Sequence, residues 1–224
     1  MAVISKDSFR FLQLLAQNNN KPWFEKNRLR YEQARAEWVA VVGKVVEGIL
    51  KIEAIPEKEP AKYLHRIYRD IRFSKDKSPY KTHIGIVFPY GGMKEDEWSG
   101  MYLGFEPEGK DSMNVYIGGG CYMPSSPYLK RIRKTIGIKY KELERFASDK
   151  NFKKEYPKGI TGESLKRMPQ GYEEGHPASD WLKMKSYTFS TDLSKKDLLS
   201  PNLPKILVQK MKAAQPVLRF FAEA

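Results

Sequence analysis

The sequence predicts an α+β fold, in which a central antiparallel meander of about four strands packs against N-terminal, middle and C-terminal helices. Three observations support this prediction. Strand-like segments follow one another in the middle of the chain, with only short turns between them. Helical periodicity marks both ends of the chain and the segment after these strands. Strands and helices do not alternate as βαβ units require, which argues against a parallel sheet.

Two helices are predicted before the first strand. Apolar residues recur at helical spacing after Ser5 and Asp7, and either residue can cap the first helix. Pro22 suits the first turn of a second helix, whose apolar pattern continues over residues 23–52. Two glycines within that pattern predict either a bend near its middle or close packing against another helix.

Three strands are predicted in a row, and their sequences are "THIGIVFPY", "GMYLGFEPEGK" and "SMNVYIGGGCYMP". Glycine and proline mark the turns between them. In the second strand Tyr102, Gly104 and Glu106 alternate with Leu103 and Phe105. Side chains alternate across a strand, so this pattern predicts a sheet with one apolar face and one more polar face.

The remainder of the chain is predicted to be mainly helical. The segment "SPYLKRIRKTIGIKYKELERFASD" reads as a helix, with Ser125 or Ser126 as its cap and a break at Gly137. Residues 150–180 read as irregular, and "WLKMKSYTFST" reads as a short edge strand. The last helix contains Pro216, which predicts a kink.

Length and composition predict a single domain over residues 1–224 in a soluble, cytoplasmic protein. The 224 residues are 41% hydrophobic, which is enough to build a core. Cys121 is the only cysteine, so no internal disulfide can form, as is usual in a reducing compartment. Lys6, Asp7 and Arg10 interrupt the first apolar run, which does not read as a signal peptide. No apolar run is long enough to span a membrane, and no membrane partner is predicted.

The net charge of +13 favours an anionic partner, and it is concentrated in two segments. Residues 61–85 hold seven Lys/Arg and two acidic residues, and residues 127–141 hold six Lys/Arg and no acidic residue. If the two segments meet in space, they form one positive surface. Nucleic acid, a nucleotide, a phosphorylated metabolite or an acidic membrane would suit such a surface, and so would water alone.

The stretch "YLHRIYRDIRFSKDKSPYKTHIGIVF" at 63–88 carries the main site hypothesis. Arginine offers a planar fork that binds phosphate or carboxylate in a bidentate manner, and the turn "SKDKSPYK" can expose backbone N–H groups to an anion. The run fits an extended or a helical backbone equally well. The candidate ligand-binding residues are Arg66, Tyr68, Arg69, Arg72, Lys77 and Lys81. The candidate acid–base residues are Asp70, Tyr80 and His83.

A structural role for the same stretch is about equally well supported by the residues alone. Asp70 lies between Arg69 and Arg72 and can pair with either, and such pairs often hold a loop against its domain. Ionic clusters occur in both ligand sites and structural locks.

The chain resembles the family of proteins with domain of unknown function 2461. The resemblance is carried by the stretches "NNNKPWFEKNRLRY", "RIYRDIRFSKDKSPYKTHIG", "GGG" at 118–120, "LKRMPQGY" and "LKMKSY", and it runs from about Phe9 to Phe221. The family is uncharacterised, so the resemblance implies a single full-length domain but transfers no catalytic residue. Its motifs contain more polar and charged positions than a core needs, which favours a ligand site.

Other motifs give weaker predictions. The glycines at 118–120 permit close approach of a ligand, but no Walker A or dinucleotide fingerprint follows. Cys121 is predicted to be a small buried residue and not a nucleophile. The three histidines and one cysteine have no zinc-ligand spacing, and "KEDEW" at 94–98 reads as a solvated turn, so no metal site is predicted and the cofactor stays open. "LKRMPQGYEEGHPASDWLKMKSY" forms a lid or wall if it folds over 63–88.

Three function classes remain open. The first, slightly preferred, is an enzyme or binding protein for a phosphate-bearing small molecule, with the basic stretch neutralising its charge. The second is a nucleic-acid-binding module in which tyrosines stack on bases. The third is a scaffold protein whose Arg–Asp cluster is a buried lock. The sequence does not define the substrate, the reaction or the oligomeric state.

Overall fold

The computed structural model describes residues 3–53, 55, 58–90, 99–108 and 112–224. It confirms the α+β prediction. The helices of this part of the chain are α1 (Lys6–Gln17), α2 (Lys21–Lys26), α3 (Arg28–Ile49), a 3-10 turn (Pro60–Tyr63), α4 (Ser126–Ala147), α5 (Lys150–Glu155), α6 (Ser179–Lys183), α7 (Lys195–Leu198) and α8 (Leu203–Ala222). The strands are β1 (Ile84–Tyr90), β2 (Ser99–Glu108), β3 (Ser112–Cys121) and β4 (Tyr187–Asp192).

The four strands form one antiparallel sheet in the order β1-β2-β3-β4, as the predicted meander requires. The register pairs Gly85 with Gly104 between β1 and β2, and Tyr102 with Gly118 between β2 and β3. β4 is added at the edge beside β3, where Gly120 faces Thr188. The edge strand predicted at 181–191 is therefore confirmed from Tyr187 onward, whereas its first residues belong to α6, which ends at Lys183.

The two faces of the sheet have different environments. Ile86, Leu103 and Phe105 lie on the face that packs against helices, and each is at most 1% exposed. The alternate positions, including Tyr102 and Tyr116, lie on the other face, which we call the open face. Contacts from α1 and α8 bury the first face, and α3 packs in turn against α1 and α8. The alternation seen in β2 therefore does separate a core face from a more polar face.

The N-terminal helices follow the predicted caps, but the predicted second helix breaks elsewhere. Ser5 caps α1 and Pro22 lies in the first turn of α2. The break falls at Asn27, whose φ and ψ of −108° and 15° separate α2 from α3, and not near the middle. α3 runs unbroken through Gly48, where a Cβ would lie 2.6 Å from Val208 of α8. That glycine permits close helix packing.

The middle helix α4 begins at the predicted cap Ser125, and its regular geometry is interrupted at Lys139, two residues after the predicted break at Gly137. It packs against α5, α6 and α8. Arg133 donates hydrogen bonds to the carbonyl oxygens of Leu182 and Met184, at 2.8 and 3.0 Å. Arg133, one of the six basic side chains of the segment 127–141, therefore holds two parts of the fold together.

Residues 156–186, which include the short helix α6, do not fold over the basic stretch, so the condition stated for a lid is not met. They pair with the outer side of β4 through Thr161 and Thr188, whereas the basic stretch lies beside β1, at the opposite edge of the sheet. Within the described ranges no hydrogen bond or ion pair joins α4 to residues 63–83. The two basic segments thus give no sign of forming one surface.

Smaller predictions can also be compared with the structure where their residues are described. Cys121 is 0% exposed and burial raises the pKa of its thiol to about 12, as expected for a small core residue. α8 continues through Pro216 to Ala222. The "KEDEW" turn lies outside the described residues. Among those residues, no helix combines the length and apolar character that membrane crossing requires.

Candidate functional site

The basic stretch forms an irregular hairpin that extends the sheet beyond the edge of β1. We call residues 64–83 the basic hairpin. Leu64 bridges to Ile86, and Tyr68 bridges to Tyr80. The amide of Lys81 donates to the carbonyl oxygen of Ile67 at 2.7 Å. Of the two backbone conformations that the sequence allowed, the extended one is therefore present at 64–69.

The inner side of the basic hairpin is anchored in the core. Tyr80 is 2% exposed, and its ring stacks on Phe24 with centroids 4.0 Å apart. The side chain of Asn19 accepts from the Tyr80 amide at 3.1 Å and donates to the Tyr80 carbonyl at 2.8 Å. Burial raises the pKa of the Tyr80 phenol, so this acid–base candidate keeps its proton and packs the hairpin against α2.

The tip of the hairpin is closed by Arg69. Its guanidinium donates to Asp76 and to the hydroxyl of Ser78, and it reaches the hydroxyl of Ser74 at 3.3 Å. Hydrogen bonds from the Ser78 amide and from Arg69 lower the pKa of Asp76 to about 2. The Arg69 side chain is only 25% exposed. Arg69 therefore has the structural role that the sequence left open, with Asp76 as its partner.

Two further candidates lie near the tip and are engaged locally. Asp70 accepts from Arg72 at Nε and Nη2, at 3.0 and 2.7 Å, and this pairing lowers the pKa of Asp70. Lys77 donates to the carbonyl oxygen of Ile71 at 3.0 Å. Because Asp70 is ionised and held by Arg72, it is poorly suited to move a proton near neutral pH.

Three cations of the hairpin have no such partner. In the described part of the chain, Arg66, Lys75 and Lys81 have no side-chain hydrogen bond and no ion pair. Arg66 and Lys75 are exposed, whereas Lys81 is half-buried. Burial lowers the pKa of Lys81, and repulsion from Arg66 lowers it further. The structure therefore concentrates positive charge here without neutralising it, which is how an anion site is built.

Two imidazoles lie beside this charge. His65 interacts electrostatically with His83 and with Lys81. Burial lowers the pKa of both, and Lys81 adds to the effect, while Glu106 opposes it at His83. Neither imidazole has a hydrogen-bond partner among residues with described positions. His83 is therefore a neutral, available acid–base group, and His65 is a neighbour that the sequence prediction missed.

A cavity of about 400 Å³ brings five of the nine candidates together. Tyr68 stands outside it, half exposed against the Tyr80 ring, and Arg66, Arg72 and Lys77 also lie outside its lining. The residues that line this cavity, which we call the hairpin cavity, are Asn19, Arg69, Asp70, Asp76, Ser78, Tyr80, Lys81, Thr82 and His83.

A second and larger cavity, of about 530 Å³, lies on the open face of the sheet. We call it the sheet cavity. Tyr102, Tyr116, Tyr122 and His65 contribute its larger side chains. The sequence indicated that a ligand could approach the glycines at 118–120, which line this cavity, but it did not predict that tyrosines of β2 and β3 lie beside them. The usable signal was their period of two, which places Gly118 and Gly120 on the same face as Tyr116.

Chemically, the two cavities offer cations, neutral imidazoles and aromatic rings. Among the described residues, no group of three or more His, Cys, Asp or Glu side chains could hold a metal ion. The arrangement can bind an anion at Lys81 and can exchange a proton at His83.

The fold and these cavities define a class: an α+β protein with a four-stranded antiparallel meander, helices on one sheet face and clefts at the other face and edge. The chain belongs to the family described as conserved hypothetical protein (DUF2461), whose model matches residues 7–220. Comparison with curated proteins and with solved structures finds no match.

Proposed function

We propose that the protein binds a phosphate-bearing, anionic small molecule at the hairpin cavity. The observation that carries this proposal is Lys81, a half-buried cation that lines the cavity and has no ion-pair partner among the described residues. A half-buried ammonium group without a counter-ion is costly, and a bound anion would remove that cost.

The anion would contact Lys81, Thr82 and His83 in the cavity lining. The same lining includes the carboxylates of Asp70 and Asp76, which are already paired with arginines and would repel a phosphate group. Lys81 supplies charge and His83 supplies a donor when it is protonated. If the ligand is turned over, His83 is the acid–base group whose imidazole is available to it.

We place this function in the cytoplasm, where phosphorylated metabolites are abundant and a single free cysteine is stable. A small-molecule partner suits a cavity of about 400 Å³, which falls within the usual range for ligand pockets.

Sulfate is expected to stabilise the protein more at about pH 5.5 than at about pH 7.5. The folded pKa values of His65 and His83 lie below their ordinary value of 6.5, so both are neutral at the higher pH. Without an anion, the unfolded state binds more protons as the pH falls below that value, and stability is lost. Sulfate stays ionised over this range and would offset the loss. Thermal unfolding with and without sulfate at each pH measures the effect.

A variant with both His65→Gln and His83→Gln controls for the general effect of sulfate on stability. The extra stabilisation at low pH should disappear in this variant. An equal increase of Tm in the two proteins at both pH values would count against the anion site.

Nucleic-acid binding is a second candidate, and one observation favours it. Phe73 at the hairpin tip is 96% exposed, and the guanidinium of Arg72 lies 5.9 Å from its ring centroid. An exposed aromatic ring beside basic side chains can stack on an unpaired base.

If this candidate is correct, Phe73→Ala weakens binding of a labelled single-stranded oligonucleotide about tenfold. Fluorescence anisotropy at several salt concentrations measures the affinity and its salt dependence. Leu29→Ala, at a position 80% exposed, is the matched control. No salt-dependent binding, or equal losses in the two variants, would eliminate nucleic acid as the partner.

A further inference from the structure

We propose that the sheet cavity holds an aromatic ring of the same ligand whose anionic group binds at Lys81. The inference rests on the proposed function, because it assigns the second half of that ligand. The protein would then recognise an aromatic or heteroaromatic compound that carries a phosphate or a similar anionic group.

The rings of Tyr102 and Tyr116 lie close over glycines of β1 and β2, where no side chain occupies the space beneath them. A Cβ on Gly104 would lie 2.7 Å from ring atoms of Tyr116 and 2.9 Å from the Tyr102 ring. A Cβ on Gly85 would lie 2.7 Å from the Tyr102 hydroxyl and 2.8 Å from the His65 ring. The rings therefore cover the backbone of β1 and β2, and their outer faces remain available for a stacked ring.

The size and walls of this cavity suit a small flat molecule. Its volume of about 530 Å³ falls within the usual range for small-molecule sites. Thr188 and Ser190 of β4 form one side, and Tyr122 forms part of the rim and is 66% exposed. No described helix covers this face of the sheet, so a ligand can reach the cavity without displacing any of the described helices.

The two cavities are linked through the histidines. His65 lines the sheet cavity, while His83 and Lys81 line the hairpin cavity. His65 interacts electrostatically with both of these residues. A ligand with its ring over Tyr102 would therefore have unneutralised cations within reach of one of its ends. This complementarity of charge is the reason for assigning an anionic aromatic ligand and not a neutral one.

The tyrosine hydroxyls can add polar contacts at the same place. Tyr116 donates to the carboxylate of Glu106 at 3.1 Å. Burial raises the pKa of Tyr102 and of Tyr116, so both phenols are neutral and place no phenolate charge beside an anion. Glu106 also lies near His83, which lines the hairpin cavity, and its negative charge opposes the lowering of the His83 pKa. The Tyr116–Glu106 contact is therefore electrostatically linked to that cavity.

The test compares 1-naphthyl phosphate with inorganic phosphate by isothermal titration calorimetry. For the unaltered protein, we expect the aromatic ester to bind about tenfold tighter or more, from stacking on the tyrosines. Ser190→Trp, which fills the sheet cavity from an exposed position on β4, should abolish this gain and leave the affinity for inorganic phosphate unchanged.

A second pair of variants guards against misfolding of the first. Tyr122→Ala removes a side chain that lines the cavity, whereas Met123→Ala removes a neighbouring side chain that is 72% exposed and does not line it. Only the Tyr122 variant should lose part of the gain.

The outcomes distinguish the inference from the proposed function. Equal affinities for the two compounds, with binding still lost in Lys81→Gln, would overturn the inference and leave the anion site in place. A gain that survives both Ser190→Trp and Tyr122→Ala would also overturn it. Failure of both compounds to bind would overturn the inference and the proposed function together.

Discussion

Lys81→Gln is expected to weaken phosphate binding about ten- to a hundredfold, because a charge-assisted contact contributes about 1.5–3 kcal/mol. Lys81 lines the hairpin cavity and has no partner among the described side chains, so its ammonium group is free to bind the anion. Glutamine retains a donor of similar length but removes the charge. Isothermal titration with inorganic phosphate measures the loss.

Lys75→Gln is the matched control. Lys75 carries the same charge, lies in the same hairpin and is exposed, but it does not line the cavity. This change should leave the affinity nearly unchanged, since a long-range charge is screened by salt. If the two variants lose affinity equally, the anion responds to net charge and not to a site at Lys81.

The second large effect concerns folding. Gly120→Ala is expected to destabilise the protein by about 3 kcal/mol or more, from backbone strain and overpacking combined. Gly120 has a φ of 109°, and a Cβ there would lie 2.0 Å from the carbonyl oxygen of Tyr187 on the paired strand β4. That neighbour is backbone and cannot turn away. Urea unfolding measures the change in the free energy of unfolding.

Gly175→Ala is the control for the loss of chain flexibility. No atom lies within 4 Å of the Cβ position at Gly175, and its φ is not in the left-handed region. We expect a change within about 0.5 kcal/mol there. A similar small change at Gly120 would show that β3 and β4 do not approach each other as closely as described.

Much of the fold could be predicted because local signals and tertiary packing agree. Ser5, Pro22 and Ser125 mark helix starts that the structure confirms, and the alternation at 102–106 assigns the correct face to the core. The predictions failed where the structure depends on contacts between segments that are distant in the sequence. The position of 156–186 depends on pairing with β4, and no local pattern encodes that contact.

The candidate site was predicted in part. The sequence located the basic hairpin, but residue type alone could not separate cations that are paired from those that are free. Arg69 and Arg72 are neutralised by carboxylates close in sequence, whereas Arg66 and Lys81 are not. The scaffold hypothesis proposed an Arg–Asp lock, and the Arg69–Asp76 pair is a contact of that kind. It closes the hairpin whether or not a ligand binds.

The most direct test of the central claim is a crystal structure of the protein soaked with phosphate. We predict an anion within hydrogen-bond distance of Lys81 Nζ, in the hairpin cavity beside Thr82 and His83. An anion bound only by Arg72 and Lys77 at the hairpin tip or along α4, with no phosphate beside Lys81, would contradict it.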